Sequence, residues 1–145
     1  MILIRDACKN DFSEVFPLIK KLWNYNSYNE AQTRAVFERI ISGEKSFAFI
    51  AEDSAHGTCA GFCHGDFFPT LWMCGETCYL SGIITAENCR HRGIGTAMIN
   101  EVKAISLVRG CRTIILESGM ARAEAHRFYE SRGFSKSCFG FDLLL

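Results

Sequence analysis

Apolar positions along the chain switch between two spacings, and the switches predict the elements. Ile2-Leu3-Ile4-Arg5 reads as a short first strand. Phe12, Val15, Phe16, Ile19, Leu22 and Trp23 then recur at helical intervals, with Asp11 and Glu14 ahead of them at capping-box separation. Pro17 falls inside this helix and predicts a late start or a kink. Residues 24–29 form a polar, aromatic loop, and residues 30–41 a second helix that stops before Gly43. Alternation returns over residues 46–52. A turn around Ser54-Ala55-His56-Gly57 leads into a returning strand over residues 58–68, which Pro69 closes. Leu71-Trp72-Met73-Cys74-Gly75 reads as a loop.

Residues 77–85 predict another strand, followed by the glycine-containing run Arg90-His91-Arg92-Gly93-Ile94-Gly95 and a long amphipathic helix ending at Arg109-Gly110. Residues 112–117 are a buried-type strand and Ser118-Gly119-Met120 a turn. Residues 122–131 read as a helix, and residues 134–145 as a terminal strand or strands. The order is β-α-α-β-β-β-α-β-α-β. The meander in the first half predicts antiparallel pairing, and the βαβ unit in the second half predicts a parallel pair. Without repeats or linkers, the expectation is one mixed α/β domain over residues 1–145.

Composition narrows the partners. Sixteen basic residues offset sixteen acidic ones, which gives no support to nucleic-acid or membrane-surface binding. The start, Met1-Ile2-Leu3-Ile4 followed by Arg5 and Asp6, is too short for an apolar secretory segment, and no apolar run reaches the roughly 18 residues of a membrane span. A cytoplasmic protein is expected. Eight cysteines are the unusual feature. Cys59/Cys63 and Cys74/Cys78 each have one residue more between them than a zinc knuckle uses, so free thiols are expected and no metal. A homodimer stays open.

Two glycines at the mouth of a helix, flanked by arginines, make a site for a polyphosphate. A P-loop needs Lys-Ser/Thr after its last glycine, and Thr96-Ala97 stands there instead. A dinucleotide fingerprint is nearer, since Gly93-x-Gly95 follows a strand and Glu117 lies about 20 residues on. Its third glycine position, however, is Met98.

The same residues carry a resemblance to the GNAT superfamily of acetyl-CoA-dependent N-acetyltransferases. Its signature is Arg or Gln, two residues, Gly, one residue, Gly or Ala, which Arg90 through Gly95 satisfies. A second segment, Ala125-His126-Arg127-Phe128-Tyr129-Glu130-Ser131-Arg132-Gly133-Phe134, resembles the AxxFYExxGF motif of that family. The resemblance implies a GNAT-like fold with a splayed central sheet, and acetyl-CoA as co-substrate. It places the coenzyme pyrophosphate on Arg90, His91, Arg92, Gly93, Ile94, Gly95 and Thr96, and the pantetheine arm along Ile83, Ile84 and Thr85. By the same resemblance Tyr129 is the acid that protonates the departing thiolate.

An alkylamine, with a pKa near 10.4, must lose a proton before it attacks. Some members of the family use a glutamate for this on the strand before the coenzyme loop, and here the position is Ser81. Ser81 implies a relay through water to a carboxylate, with Glu76, Asp66 and Glu117 as candidates. The acceptor expected is a small-molecule amine. Trp23, Tyr25 and Tyr28, and Phe67, Phe68 and Trp72, are candidates to wall its pocket, or else ordinary core and rim. A protein or peptide amine, or a non-catalytic acyl-CoA sensor, is the alternative.

Overall fold

The alternating runs pair into one sheet in the strand order β1-β2-β3-β4-β5, in a computed structural model that describes residues 1–145. The elements are β1 (Ile2–Asp6), α1 (Phe12–Leu22), α2 (Glu30–Ser42), β2 (Ser46–Asp53), β3 (Thr58–Thr70), β4 (Gly75–Thr85), α3 (Ile94–Val108), β5 (Cys111–Ile115) and α4 (Ala123–Ser131). The first four strands are antiparallel neighbours, and β4 and β5 are parallel, as the meander and the βαβ unit predict. The chain divides into two compact units, Met1–Ile115 and Leu116–Leu145.

In the first unit, alternation along the strands feeds two faces. Ala48, Ile50 and Phe62 join Phe12, Val15, Leu18, Ile19 and Phe37 in a core under α1 and α2. On the other face, Ile94 and Met98 of α3 pack onto β3 at Gly61. Pro17 does not delay or break α1, which runs unbroken from Phe12 to Leu22. Burying Phe12, Val15, Leu18 and Ile19, at roughly 1.5–3 kcal/mol each, outweighs the ~3 kcal/mol of a proline inside a helix.

The expected Asp11–Glu14 capping box is not made. The Asp11 carboxylate is held by Arg5 at 2.9 Å on each oxygen and by the Cys8 N–H at 2.7 Å. Glu14 instead accepts the Cys59 N–H at 2.7 Å. The α2 cap forms as its sequence suggests, with Asn29 Oδ1 accepting the Gln32 N–H. Pro69 does not close β3 either. It lies opposite Glu76, and the strand continues to Thr70, because a missing N–H removes at most one ladder bond.

In the second unit, α4 ends at Ser131, and Gly133 turns the chain with φ +94°. The terminal strand expected over residues 134–145 is absent. Phe139, Phe141, Leu143, Leu144 and Leu145 stand exposed there. Apolar residues give a run its strand-like pattern, but a strand exists only where a neighbour pairs its backbone, and this segment joins no ladder.

Candidate active site

The glycine turn ahead of α3 is built from two left-handed residues, His91 at φ +61° and Gly93 at φ +77°. Gly93 suits such a conformation, and His91 bears a modest strain. Ala97 is the first residue whose N–H bonds into the helix, to Gly93 O at 3.0 Å. The N–H groups ahead of it, from His91 to Thr96, have no acceptor within the chain. Six consecutive free donors at the positive end of a 15-residue helix form an anion cradle. Ile94, buried against β3, fixes where the cradle stands.

The two arginines separate in role. Arg92 donates to Asp53 at 3.2 Å, while Arg90 has no ion-pair partner. Burial would raise the Asp53 carboxyl, but bonds from the Ala55 N–H, Arg92 and His56 outweigh it and hold Asp53 below the ordinary carboxylate range. Arg92 therefore ties the turn to the end of β2, while the Arg90 guanidinium has no ion-pair partner to hold it.

The strand leading into the turn is splayed. β4 pairs with β5 only over Glu76 to Tyr79. Beyond that point, Ile83, Ile84 and Thr85 pair with Cys63, Phe62 and Gly61 of β3 and with no strand on the other side. Their outward backbone groups are thus open to an extended ligand, which is the arrangement the pantetheine expectation requires.

A cleft of about 350 Å³ lies between α1 and α2 over β3. Ile19 and Trp23 form one wall, continued by Asn26 and Tyr28 of the following loop. Gln32, Thr33, Val36, Phe37 and Ile40 of α2 form the other, and Phe62 and His64 form the floor. Of the six aromatics considered for a pocket, this brings in Trp23 and Tyr28 alone. Tyr25, Phe68 and Trp72 are exposed, and Phe67 packs against Phe47, 5.3 Å between ring centres. The Tyr28 hydroxyl donates to Trp23 O at 2.6 Å, stapling the loop to the end of α1. The Trp23 ring in turn lies over Gly82 of β4: a Cβ there would come within 2.8 Å of the indole.

His64 sits where the cleft floor meets β4, paired with Gly82 across the ladder and edge-on to Trp23 at 5.8 Å. Burial pushes its imidazole down from the usual value, against the opposing pull of Asp66, so the ring is neutral at pH 7. It makes no hydrogen bond, and its Nδ1 is sealed from solvent. Beside it the sheet slips register between His64 and Gly65, and there Ser81 donates to Asp66 Oδ2 at 3.5 Å. Of the three candidate carboxylates, Asp66 is the one bonded to Ser81. Sequence reasoning passed over His64 and the α2 wall. The signals were present: a histidine within an apolar alternating strand, and Thr33, Val36, Phe37 and Ile40 at helical spacing.

Tyr129 lies in α4 with its ring against Phe134, 5.9 Å between centres, and is largely buried. The eight cysteines are free thiols. Burial raises Cys59 and Cys78 to about 11, and pushes Cys63 and Cys111 upward as well. No group of three or more His, Cys, Asp or Glu side chains gathers in metal-binding geometry.

The acetyltransferase (GNAT) family model matches residues 6–134. The chain belongs to this family and is an acyltransferase. Its fold is also that of a transcriptional regulator from Bacillus halodurans C-125, at 22% identity over all of both chains and a TM-score of 0.90. An aminoglycoside N-acetyltransferase, AAC(6')-Iy in complex with CoA, superposes with a TM-score of 0.86 at 20% identity, covering 100% of this chain and 95% of that one. A Trypanosoma brucei acetyltransferase superposes over all of both chains with a TM-score of 0.79 at 20% identity. No curated protein matches the sequence.

Proposed function

We propose that the chain is a single N-acetyltransferase domain that moves an acetyl group from acetyl-CoA to the primary amine of a small molecule by direct attack. The observation that carries this is the combination at one end of β4. A strand with an unpaired edge runs into six free amide donors, and an aromatic cleft opens beside it. The pyrophosphate sits on the amides of His91 to Thr96, with Arg90 adding charge. The pantetheine arm follows Ile83, Ile84 and Thr85. A backbone N–H on this strand polarises the thioester carbonyl. The CoA-bound aminoglycoside acetyltransferase of the same fold supports the choice of donor.

The acceptor enters as an ammonium ion and gives up one proton through Ser81 and water to Asp66. Its lone pair forms the C–N bond to the acetyl carbon. As the intermediate collapses, the C–S bond breaks and the sulfur leaves as thiolate. The second nitrogen proton reaches solvent, and Tyr129 supplies the proton that neutralises the sulfur. Asp66 then releases its proton and Tyr129 regains one from solvent, so the products are the acetamide, free CoA thiol and one net proton. The assignment of Tyr129 rests on its place in the FYE motif. Incubation with acetyl-CoA and an amine panel is expected to release thiol. Neither turnover nor a raised melting temperature with acetyl-CoA would remove this reading.

A further inference from the structure

The cleft between α1 and α2 has a chemical character that selects among amines. Its walls are aromatic and aliphatic, broken by the uncharged polar groups of Asn26, Gln32 and Thr33, and no lining side chain carries a full charge at pH 7. A polycation placed there would bury ammonium groups with no carboxylate to pair them, at a cost of several kcal/mol for each. A flat or branched apolar body, by contrast, gains from contact with Trp23, Tyr28 and Phe62. The volume, about 350 Å³, stands at the low end of ligand pockets, which run roughly 300–1,000 Å³.

The cleft is also polarised along its length. Its one titratable floor group is His64, whose Nδ1 is buried without a hydrogen-bond partner while Nε2 is not sealed off. Nε2 is therefore the ring nitrogen that this end of the apolar cleft can offer to a polar atom of a ligand. Asp66, whose charge is felt by His64, and Ser81 stand just beyond that end. An ammonium group is therefore drawn to the His64 end, where Gly82 leads directly into Ile83, Ile84 and Thr85. The opposite end, between Asn26 and Val36, holds nothing that recognises a second charge.

We propose that this cleft is the acceptor site and that it takes a monoamine with a compact aromatic or aliphatic body, the amine seated against His64 and the body between Trp23, Tyr28 and Val36. The proposal deepens the acetyltransferase reading and rests on it for the reaction, though not for binding. Polyamines and aminoglycosides are then poor ligands, whatever the wider fold family accommodates.

Trp23 reports occupancy directly. The chain has two tryptophans, and Trp72 is an exposed turn residue outside the cleft, so a Trp72→Phe variant leaves Trp23 as the only indole. In that background 2-phenylethylamine and isoamylamine are expected to change the emission saturably, with Kd at least about tenfold below those of spermidine and kanamycin. Adding Val36→Asp, at a half-exposed wall position, is expected to narrow or invert that preference. Tighter binding of spermidine or kanamycin, no saturable response to either monoamine, or a selectivity indifferent to Val36→Asp overturns the proposal. Thiol release from acetyl-CoA, followed in parallel, tests the reaction separately. A Trp23 response without turnover keeps the pocket and removes the transferase reading. Turnover confined to polycations removes the pocket and keeps the transferase.

Discussion

At Gly82 a missing side chain does the positioning. The Trp23 indole and Leu22 occupy the space above it, so any Cβ collides with both, at 2.8 and 3.0 Å. Gly82→Ala is expected to lift Trp23 from β4 and raise the KM for the amine about tenfold or more, while acetyl-CoA still raises the melting temperature. An unchanged KM would mean that Trp23 does not shape the acceptor site. Tyr129 is the acid of the proposed reaction. Tyr129→Phe keeps the ring packing against Phe128 and Phe134 and removes the phenolic proton. A positioned acid contributes roughly 10²–10⁴-fold, so kcat should fall within that range with coenzyme affinity little changed. Equal turnover in the two proteins would take Tyr129 out of the reaction.

The elements owe their placement to pairs that the sequence does not advertise. Arg5 of β1 clamps Asp11 at the start of α1 and bonds Glu52 of β2 at 2.6 Å. Burial would raise the Asp11 carboxyl, but Arg5 and the Cys8 N–H outweigh it and hold it low. A carboxyl lowered in the folded state lends stability above its unfolded value, about 3.8, that is lost as pH falls through the folded one. His64 is lowered too, so its unfolded form takes up a proton first, and its share of stability starts to decline below about 6.5. Urea unfolding followed from neutral pH into acid should show both declines, and His64→Phe should remove the earlier one. A variant as sensitive as the parent between those values contradicts the burial argument. At the glycine turn, Gly93→Ala places a Cβ at φ +77°, with a strain of roughly 1–2 kcal/mol. It is expected to weaken the melting-temperature response to acetyl-CoA.

These cases show which parts of the molecule were legible from the chain alone. The strands, helices and pairing directions followed from period and connection length. The glycine turn ahead of α3 was readable because glycine, arginine and the helix start are contiguous. The cleft was only half readable: Trp23 and Tyr28 lie in a conspicuous aromatic loop, but the opposite wall comes from α2 and the floor from β3. The choice of Asp66 depended on a register slip at His64/Gly65, which no spacing rule exposes. The final segment misled because its apolar pattern is that of a strand, while pairing is decided by a neighbour.

For the whole molecule, the strand that enters the glycine turn and the strand that floors the cleft are neighbours in one sheet, and the proposed reaction has its two substrates meet along β4. Four of the eight thiols are poorly suited to take the acetyl group on the way. Cys59, Cys63, Cys78 and Cys111 are all pushed upward, chiefly by burial, and so hold little thiolate near neutrality. Initial rates at varied acetyl-CoA and amine are expected to give intersecting rather than parallel double-reciprocal lines, with no acetylated protein detected by mass spectrometry. No helix is long and apolar enough to cross a membrane. The most direct measurement is thiol release from acetyl-CoA across a panel of 2-phenylethylamine, isoamylamine, spermidine and kanamycin. The account predicts amine-dependent release, fastest with the two monoamines. Absence of release with every amine, together with no change in melting temperature on adding acetyl-CoA, would contradict it.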